Sequence, residues 1–393
     1  MQNLNGEQEI SGSDMAATIQ SIEAILVDIP TIRPHKLSMT TMGVQTMVIV
    51  RIKDSDGLEG LGEATTIGGL AYGPESPESV KLTIDTYFSP LLLNQPAEAI
   101  NTLRVRLNRA TRGNNLAKSA IETALLDLMG KRLNQPLHQL LGGAVHQHIP
   151  VLWTLASGDT QTDIDEARRL LAEQRHCDFK LKIGSRALMD DVRHVAAIKA
   201  AVGDRASVRV DVNQAWDEST AAKGMAELQA AGIDLVEQPT PMKEHAALVR
   251  LSQKFHLPIL ADETVADATD MFTLASAGFA GAVALKIAKA GGPLQALKVA
   301  NVASAAGIGL YGGTLLEGTI GTVAALHAWS TLDTLHWGTE MFGPLLLKDD
   351  IVETPLHFHH HGVTLPAGPG LGVTLNEDKL AEYRRKSSLA PHA

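Results

Sequence analysis

Apolar and polar positions alternate from Thr18 to Glu63, in TIQSIEAILVDI, QTMVIVRI and LEGLGEA, with Asp56 and Gly57 supplying turn chemistry before the third run. The pattern predicts an antiparallel meander. Between Ser76 and Gly142 the spacing lengthens to helical, most clearly in LAKSAIETALLDLMGK, where Leu116, Ala120, Ala124 and Leu128 fall on one stripe. An α+β capping domain is therefore expected over residues 18–145.

Beyond residue 145 short apolar runs alternate with helical stretches: VLWTLA, DFKLKIG, SVRVDVNQ, IDLVEQP, PILADET, AVALKIAKAGG, GIGLYGGT and LHWGTE. Eight strand candidates, separated by pieces such as DIDEARRLLAEQ, suit closure into an α/β fold of the (β/α) barrel type over residues 146–347. A doubly wound open sheet is the rival, but no glycine-rich dinucleotide fingerprint follows the first strand. Residues 348–393 return to short strands and turns and are expected to pack back on the capping domain. The first seventeen residues lack the basic start and apolar core of a signal peptide and read as a disordered extension.

Composition narrows the function. The 393-residue chain is 45% hydrophobic, enough for large buried cores, and carries a formal charge of −10 with a pI near 5.8. With no sustained Lys/Arg run, an electrostatic grip on nucleic acid is disfavoured. Cys177 is the sole cysteine, so an intrachain disulfide and paired-cysteine zinc sites are excluded, and a reducing cytoplasm fits. No apolar run reaches membrane-spanning length.

The residues that end the barrel strands carry the chemistry. Lys180 and Lys182, Asp211, Glu237, Asp262, Lys286 and Glu340 stand at the carboxyl ends of six strand candidates, and the mouth of a barrel is built from those ends. A single acidic strand end commonly caps a helix or faces water. Three on adjacent strands, opposite lysines, instead suggest hard oxygen ligands for Mg²⁺ or Mn²⁺ at Asp211, Glu237 and Asp262. Lys180 and Lys182 are two apart on one strand and project to the same, interior side. Burial and mutual repulsion are expected to lower the pKa of at least one, fitting it to carry a proton. Lys286 lies across the barrel from Lys182. Glu263 is expected to point away from Asp262, behind the ligands. Lys289 falls in the following loop, where a solvated or phosphate-seeking role is the bland alternative. Glu317 either reaches the mouth or caps a helix. His357, His359, His360 and His361 invite adventitious metal binding in the tail, and nothing near Cys177 activates it.

These features, with DIPTIRPHKLSM, GEATTIGGLAYGPESPE, WTLASGD, ALKIAKAGGP, GIGLYGGTLLEGTIGT and WGTEMFGPLL, resemble the muconate cycloisomerases, the muconate-lactonizing subgroup of the enolase superfamily, over residues 20–385. The resemblance implies a capping domain over a modified barrel and lactonisation of cis,cis-muconate to muconolactone in catechol catabolism. It implies Mn²⁺ on Asp211, Glu237 and Asp262, with Mg²⁺ an alternative. It also implies proton exchange by Lys182, electrostatic partnership by Lys180, Lys286 on the other face and Glu340 as an assisting acid. Ile67 and Tyr72 would close over a small dicarboxylate, with Lys289 and Phe342 beside it; chlorinated-muconate relatives tend to differ at those last two positions. A homo-oligomer, an octamer in the family pattern, is implied as well. Epimerases and dehydratases of the superfamily share the lysine pair and the metal carboxylates. A metal-free aldolase and a catalytically silent ligand-binding barrel are the further alternatives.

Overall fold

A computed structural model describes residues 17–36 and 40–386. Most of the extension expected over residues 1–17 lies outside the described residues, as do Leu37, Ser38 and Met39 of the HKLSM segment and residues 387–393 of the tail.

The expected meander is present. β1 (Ile19–Lys36), β2 (Thr41–Asp54) and β3 (Glu59–Thr65) form an antiparallel sheet in chain order. Asp54 shapes the tight β2–β3 turn by accepting from the backbone N–H groups of Asp56 and Leu58. In β3 the two glycines of EGLGEA lie under the long helix Asn115–Leu133. A Cβ at Gly60 or Gly62 would fall 2.0 Å from the carbonyl oxygen of Ala124 or Ala120 respectively, so only glycine lets the helix lie flat on the strand. The stripe Leu116, Ala120, Ala124 and Leu128 is buried, but so are Lys118, Glu122 and Asp127; neighbours surround this helix on nearly all sides.

β4 (His148–Pro150) leads into seven parallel strands: β5 (Trp153–Leu155), β6 (Asp178–Lys182), β7 (Ser207–Asp211), β8 (Leu235–Glu237), β9 (Ile259–Ala261), β10 (Ala282–Leu285) and β11 (Gly309–Gly312). Helices between them cover the outside. Asp159, Asp217 and Asp267 cap the helices that begin at Thr160, Glu218 and Ala268.

The eighth strand expected in LHWGTE does not form. Gly338 takes a left-handed turn (φ 59°), and the chain turns again into the short helix Gly343–Leu346. Only Thr339 stays extended, and it bridges Gly312 at the end of β11 to Val151 just before β5. Backbone bonds from Leu152 N–H to the Thr339 carbonyl (2.8 Å) and from Glu340 N–H to the Gly312 carbonyl (2.8 Å) close the ring around that one residue. The architecture is an α+β cap and a curled, seven-stranded parallel barrel.

Two junctions fix cap to barrel. Glu63 of β3 accepts from the N–H groups of Gly318 and Gly321 (both 2.7 Å) at the start of the helix Thr319–Trp329, where the helix dipole favours negative charge. Burial, with nearby Glu317 adding to it, nevertheless pushes the Glu63 carboxyl up to about 8. The tail supplies the second junction. Buried Asp127 accepts from Leu61 N–H (2.8 Å) and Leu371 N–H (2.7 Å), tying β3 to the returning chain. Arg385 grips Asp28 of β1, with Nε to Oδ2 at 2.7 Å. β12 (Phe358–His359) and β13 (Gly362–Thr364) form a hairpin that pairs with β4.

Candidate active site

Strand register places the predicted groups in one row. Lys182 pairs with Asp211, Asp211 with Glu237, and Glu237 with Leu260, two residues before Asp262. Because side chains alternate along a strand, Phe179 and Leu181 pack outward while Lys180 and Lys182 turn into the barrel. Beneath this row a second interior layer, with Arg209 bonded to Asp178 (2.8 Å) and lying over the Tyr311 and Trp337 rings, fills the barrel floor.

A cavity opens above the row. Lys182, Asp211, Glu237, Asp262, Lys286 and Glu340 line it from the barrel; Ile67 and Tyr72 line it from the cap, and Phe342 from the loop after Thr339. Five of the nine residues come from strand ends or from the residue just past one, and Glu340 follows the bridging Thr339. Sequence reasoning did not pick out His35, Thr154, Asn213 or Thr314, which also line it. A signal existed for Asn213, two residues past Asp211, whose N–H donates to the Asp211 carboxylate (2.8 Å). Lys289 does not line this cavity. It stands behind Asp262, donating to the Asp262 carbonyl (2.5 Å) and carboxylate (2.9 Å), and borders a neighbouring hollow with Tyr72.

Every lysine of the site holds a carboxylate. Lys182 pairs with Asp211, Lys286 with Asp262 (2.6 Å), and Lys180 with both Glu237 (2.6 Å) and Glu340. The Tyr72 hydroxyl lies 3.1 Å from both Asp262 and the Lys286 ammonium. For Lys180 the direction is opposite to a lowered pKa. Burial does act against the charge on Lys180, but Glu237 and Glu340 outweigh it and hold the ammonium well above its ordinary range. Lys286 is raised in the same way, with burial outweighed first by Asp262. Lys289 is lowered, by burial, against the pull of Asp262.

The carboxylates suit a divalent cation. They are hard oxygen donors on three adjacent strands facing one cavity. Glu237 is pushed well above its ordinary pKa by burial and then by Asp211, although Lys180 touches it, whereas at Asp262 burial is outweighed by Lys286 and Lys289, which hold that carboxyl well below its ordinary range. Among the described residues no three His, Cys, Asp or Glu side chains converge as a ligand group. The ammonium groups stand between them, and a cation would take their place.

The remaining candidates sort by contact. Glu263 is buried, accepts from Asn213 Nδ2 (3.4 Å) and leaves Oε2 without a partner. Glu317 is buried below the mouth, accepting from Leu315 N–H (2.9 Å) and the Thr314 hydroxyl, and does not line the cavity. His360 and His361 make the left-handed turn of the β12–β13 hairpin, where His357 and His359 stack (centroids 4.8 Å). Burial, together with Asp178, pushes the Cys177 thiol up to about 11, which leaves it unreactive at neutral pH.

A capping sheet over an enolase-type barrel with acidic strand ends defines a class, and family models agree. Residues 21–142 match the mandelate racemase/muconate lactonizing enzyme N-terminal domain and residues 163–379 the enolase C-terminal domain-like model. The chain belongs to the mandelate racemase/muconate lactonizing enzyme family of the enolase superfamily. Within it the chain is a homologue of the muconate cycloisomerases, which are isomerases of the intramolecular-lyase kind and depend on a divalent metal. It is 54% identical to muconate cycloisomerase 1 of Pseudomonas putida over 94% of this chain and 99% of the relative. A chloromuconate cycloisomerase of Pseudomonas sp. strain P51 is 46% identical over 93% and 99%. The crystal structure of the muconate lactonizing enzyme from Pseudomonas fluorescens complexed with muconolactone superposes with a TM-score of 0.93 at 54% identity, covering 94% of this chain and all of that one. Among the described residues no helix is long and apolar enough to cross a membrane.

Proposed function

We propose that this chain lactonises cis,cis-muconate to muconolactone, reversibly, in catechol catabolism. The observation that carries the reading is the in-register row of Lys182, Asp211 and Glu237, continued by Asp262 and Lys286 under the Ile67 and Tyr72 side of the cap.

In this reading Asp211, Glu237 and Asp262 hold a divalent cation, Mn²⁺ before Mg²⁺. When bound, the cation supplies positive charge where a carboxylate gains electron density. The chain does the rest. One substrate carboxylate forms a C–O bond to the conjugated system, and the displaced electron pair moves onto the other carboxylate. Lys182 gives its proton to the carbon next to that carboxylate, completing the isomer. Lys286 and Lys180 add fixed positive charge, with Glu340 setting how much of Lys180's charge is free. Ile67, Tyr72 and Phe342 exclude water, so these charges act in a low dielectric. Lys289 acts by holding Asp262. The cap (residues 18–145, with the returning 348–393) and the barrel (146–347) divide the work between enclosure and chemistry. A cytoplasmic homo-oligomer is part of the same proposal.

The test is the ultraviolet loss of muconate absorbance with Mn²⁺ and with a chelator, followed by product identification. Metal-dependent conversion to muconolactone is expected; no turnover of muconate with metal present refutes the reading. Chloromuconates belong in the same assay, because the chlorinated-substrate relatives are also homologues. Retention of Lys289 and Phe342 favours the unsubstituted substrate.

A further inference from the structure

Among the described residues, several buried polar atoms lack a hydrogen-bond partner, but only one belongs to a residue that lines the active cavity: Nδ1 of His35. His35 lies near the end of β1 and is 1% exposed. Leaving a buried ring nitrogen unpaired is costly, and a bound ligand can remove that cost.

The described neighbours do not supply its partner. Arg33, two residues earlier, is tied to the barrel through its terminal nitrogens, which donate to Glu166 (2.9 Å) and to the Thr154 carbonyl (3.2 Å), while its Nε is also without a partner. Glu166 also accepts from Trp153 Nε1 (3.0 Å). Trp153 meets Phe342 edge-on (5.3 Å), and Phe342 lies 6.3 Å from the His35 ring. This clamp pins the end of β1 over β5, so the ring is held in place rather than free to seek water. Lys182 is taken up by Asp211 and Glu340 by Lys180. Burial, then Lys182 and Arg33, push the His35 imidazole down to about 3, so the ring is neutral at working pH and carries a single N–H. It therefore cannot act as a second cation beside Lys182. It can act as a directed donor.

We propose that the His35 imidazole donates from Nδ1 to the substrate carboxylate that is not held by the acidic row, the one that attacks in ring closure. His35 is then a substrate-binding residue that selects dicarboxylates over monocarboxylates and orients the attacking oxygen. The inference rests on the proposed muconate chemistry for the identity of that carboxylate.

The test uses two unreactive six-carbon acids with the Mn²⁺-loaded enzyme: adipate, with two carboxylates, and hexanoate, with one. By calorimetry, the wild type should prefer adipate. His35→Leu should lose that preference by about 10- to 100-fold, the range for a hydrogen bond to a charged group, while hexanoate binding stays within a few-fold. His35→Gln, which keeps an N–H donor, should retain most of it. On muconate, kcat/KM should fall in the same order. If His35→Leu does not fold, His35→Met gives a second chain without a donor. The proposal is overturned if the donor-free variant keeps the adipate preference, if His35→Gln loses as much as it does, or if hexanoate binding falls in parallel. Wild-type turnover of muconate reports separately on the underlying reading: its failure, with adipate selection intact, would remove the substrate and leave the donor.

Discussion

Replacing Lys180 with methionine tests the charge balance of the site without touching a proposed ligand. The Lys180 ammonium is fully buried, bonded to Glu237 and Glu340 and 5.2 Å above the Tyr311 ring. Methionine keeps most of the volume and removes the charge. Two buried carboxylates, which already repel each other, then lose their shared counter-ion. Removing one partner of a buried pair costs about 3–5 kcal/mol, and here one of the two acids must also take up a proton. In chelator, the unfolding free energy of Lys180→Met, read from urea denaturation, should therefore fall by that amount. Added Mn²⁺ should recover more stability in the variant than in the wild type, because Glu237 no longer has an ammonium to exchange for the cation. A ligand at 100 times its Kd stabilises a fold by about 2.7 kcal/mol, so the differential is measurable by equilibrium unfolding. If Lys180→Met is as stable as wild type in chelator, or if the metal stabilises both chains equally, then Lys180 is not the counter-ion of this site and the cation does not bind beside Glu237.

Two further outcomes follow from the same geometry. Lys182→Ala should bind Mn²⁺ at least as tightly as wild type, since Asp211 loses its ammonium, yet turn over about 10²–10⁴-fold more slowly, as expected for a lost proton donor; full activity in the absorbance assay would sink the proton-transfer role. The buried pair His138 and His327 should make the fold sensitive to acid. Their Nδ1 atoms lie 3.1 Å apart, and His327 Nε2 lies 3.2 Å from the Leu371 carbonyl, which can only accept; His327 therefore carries its proton on Nε2 and accepts from His138 Nδ1. Burial holds His327 down to about 4, below its unfolded value, so unfolding takes up a proton as pH falls. The stabilisation is complete above about pH 6.5 and lost towards pH 4, by about 3 kcal/mol. Urea unfolding at pH 7.5, 5.5 and 4.5 should show this loss in the wild type and a smaller one in His327→Gln; identical slopes would clear the pair of responsibility.

The carboxylates could be found from sequence because each stands at the end of an apolar run, and strand periodicity alone says which neighbours share a face. Lys180 and Lys182 were legible for the same reason. Their electrostatics were not: strand reading sets the lysines opposite the acids, whereas pKa direction depends on whether Nζ reaches an oxygen, a matter of side-chain length and register. The eighth strand was over-read because LHWGTE has the right apolar content, and only the left-handed Gly338 shows that the run is interrupted, leaving Thr339 as its single extended residue. His35 was passed over because it sits in a segment read for its resemblance, and its role comes from what is missing around one ring nitrogen. No spacing rule reports that. The glycines of β3 had a legible use in hindsight: two glycines two apart in a strand mark a face that something must approach closely.

The grip of Arg385 on Asp28 has a consequence for the order of events at the ribosome. The two residues are 357 positions apart, and Arg385 also reaches Glu78 and the Thr46 hydroxyl (3.0 Å). The first sheet to emerge is thus completed by some of the last residues made, with the whole barrel synthesised in between. At the 5–20 residues per second of synthesis, that sheet waits roughly 20 to 70 seconds with one flank of β1 uncovered. The exposed flank would need protection during that interval, and the nascent chain becomes a single cooperative body only when the tail arrives.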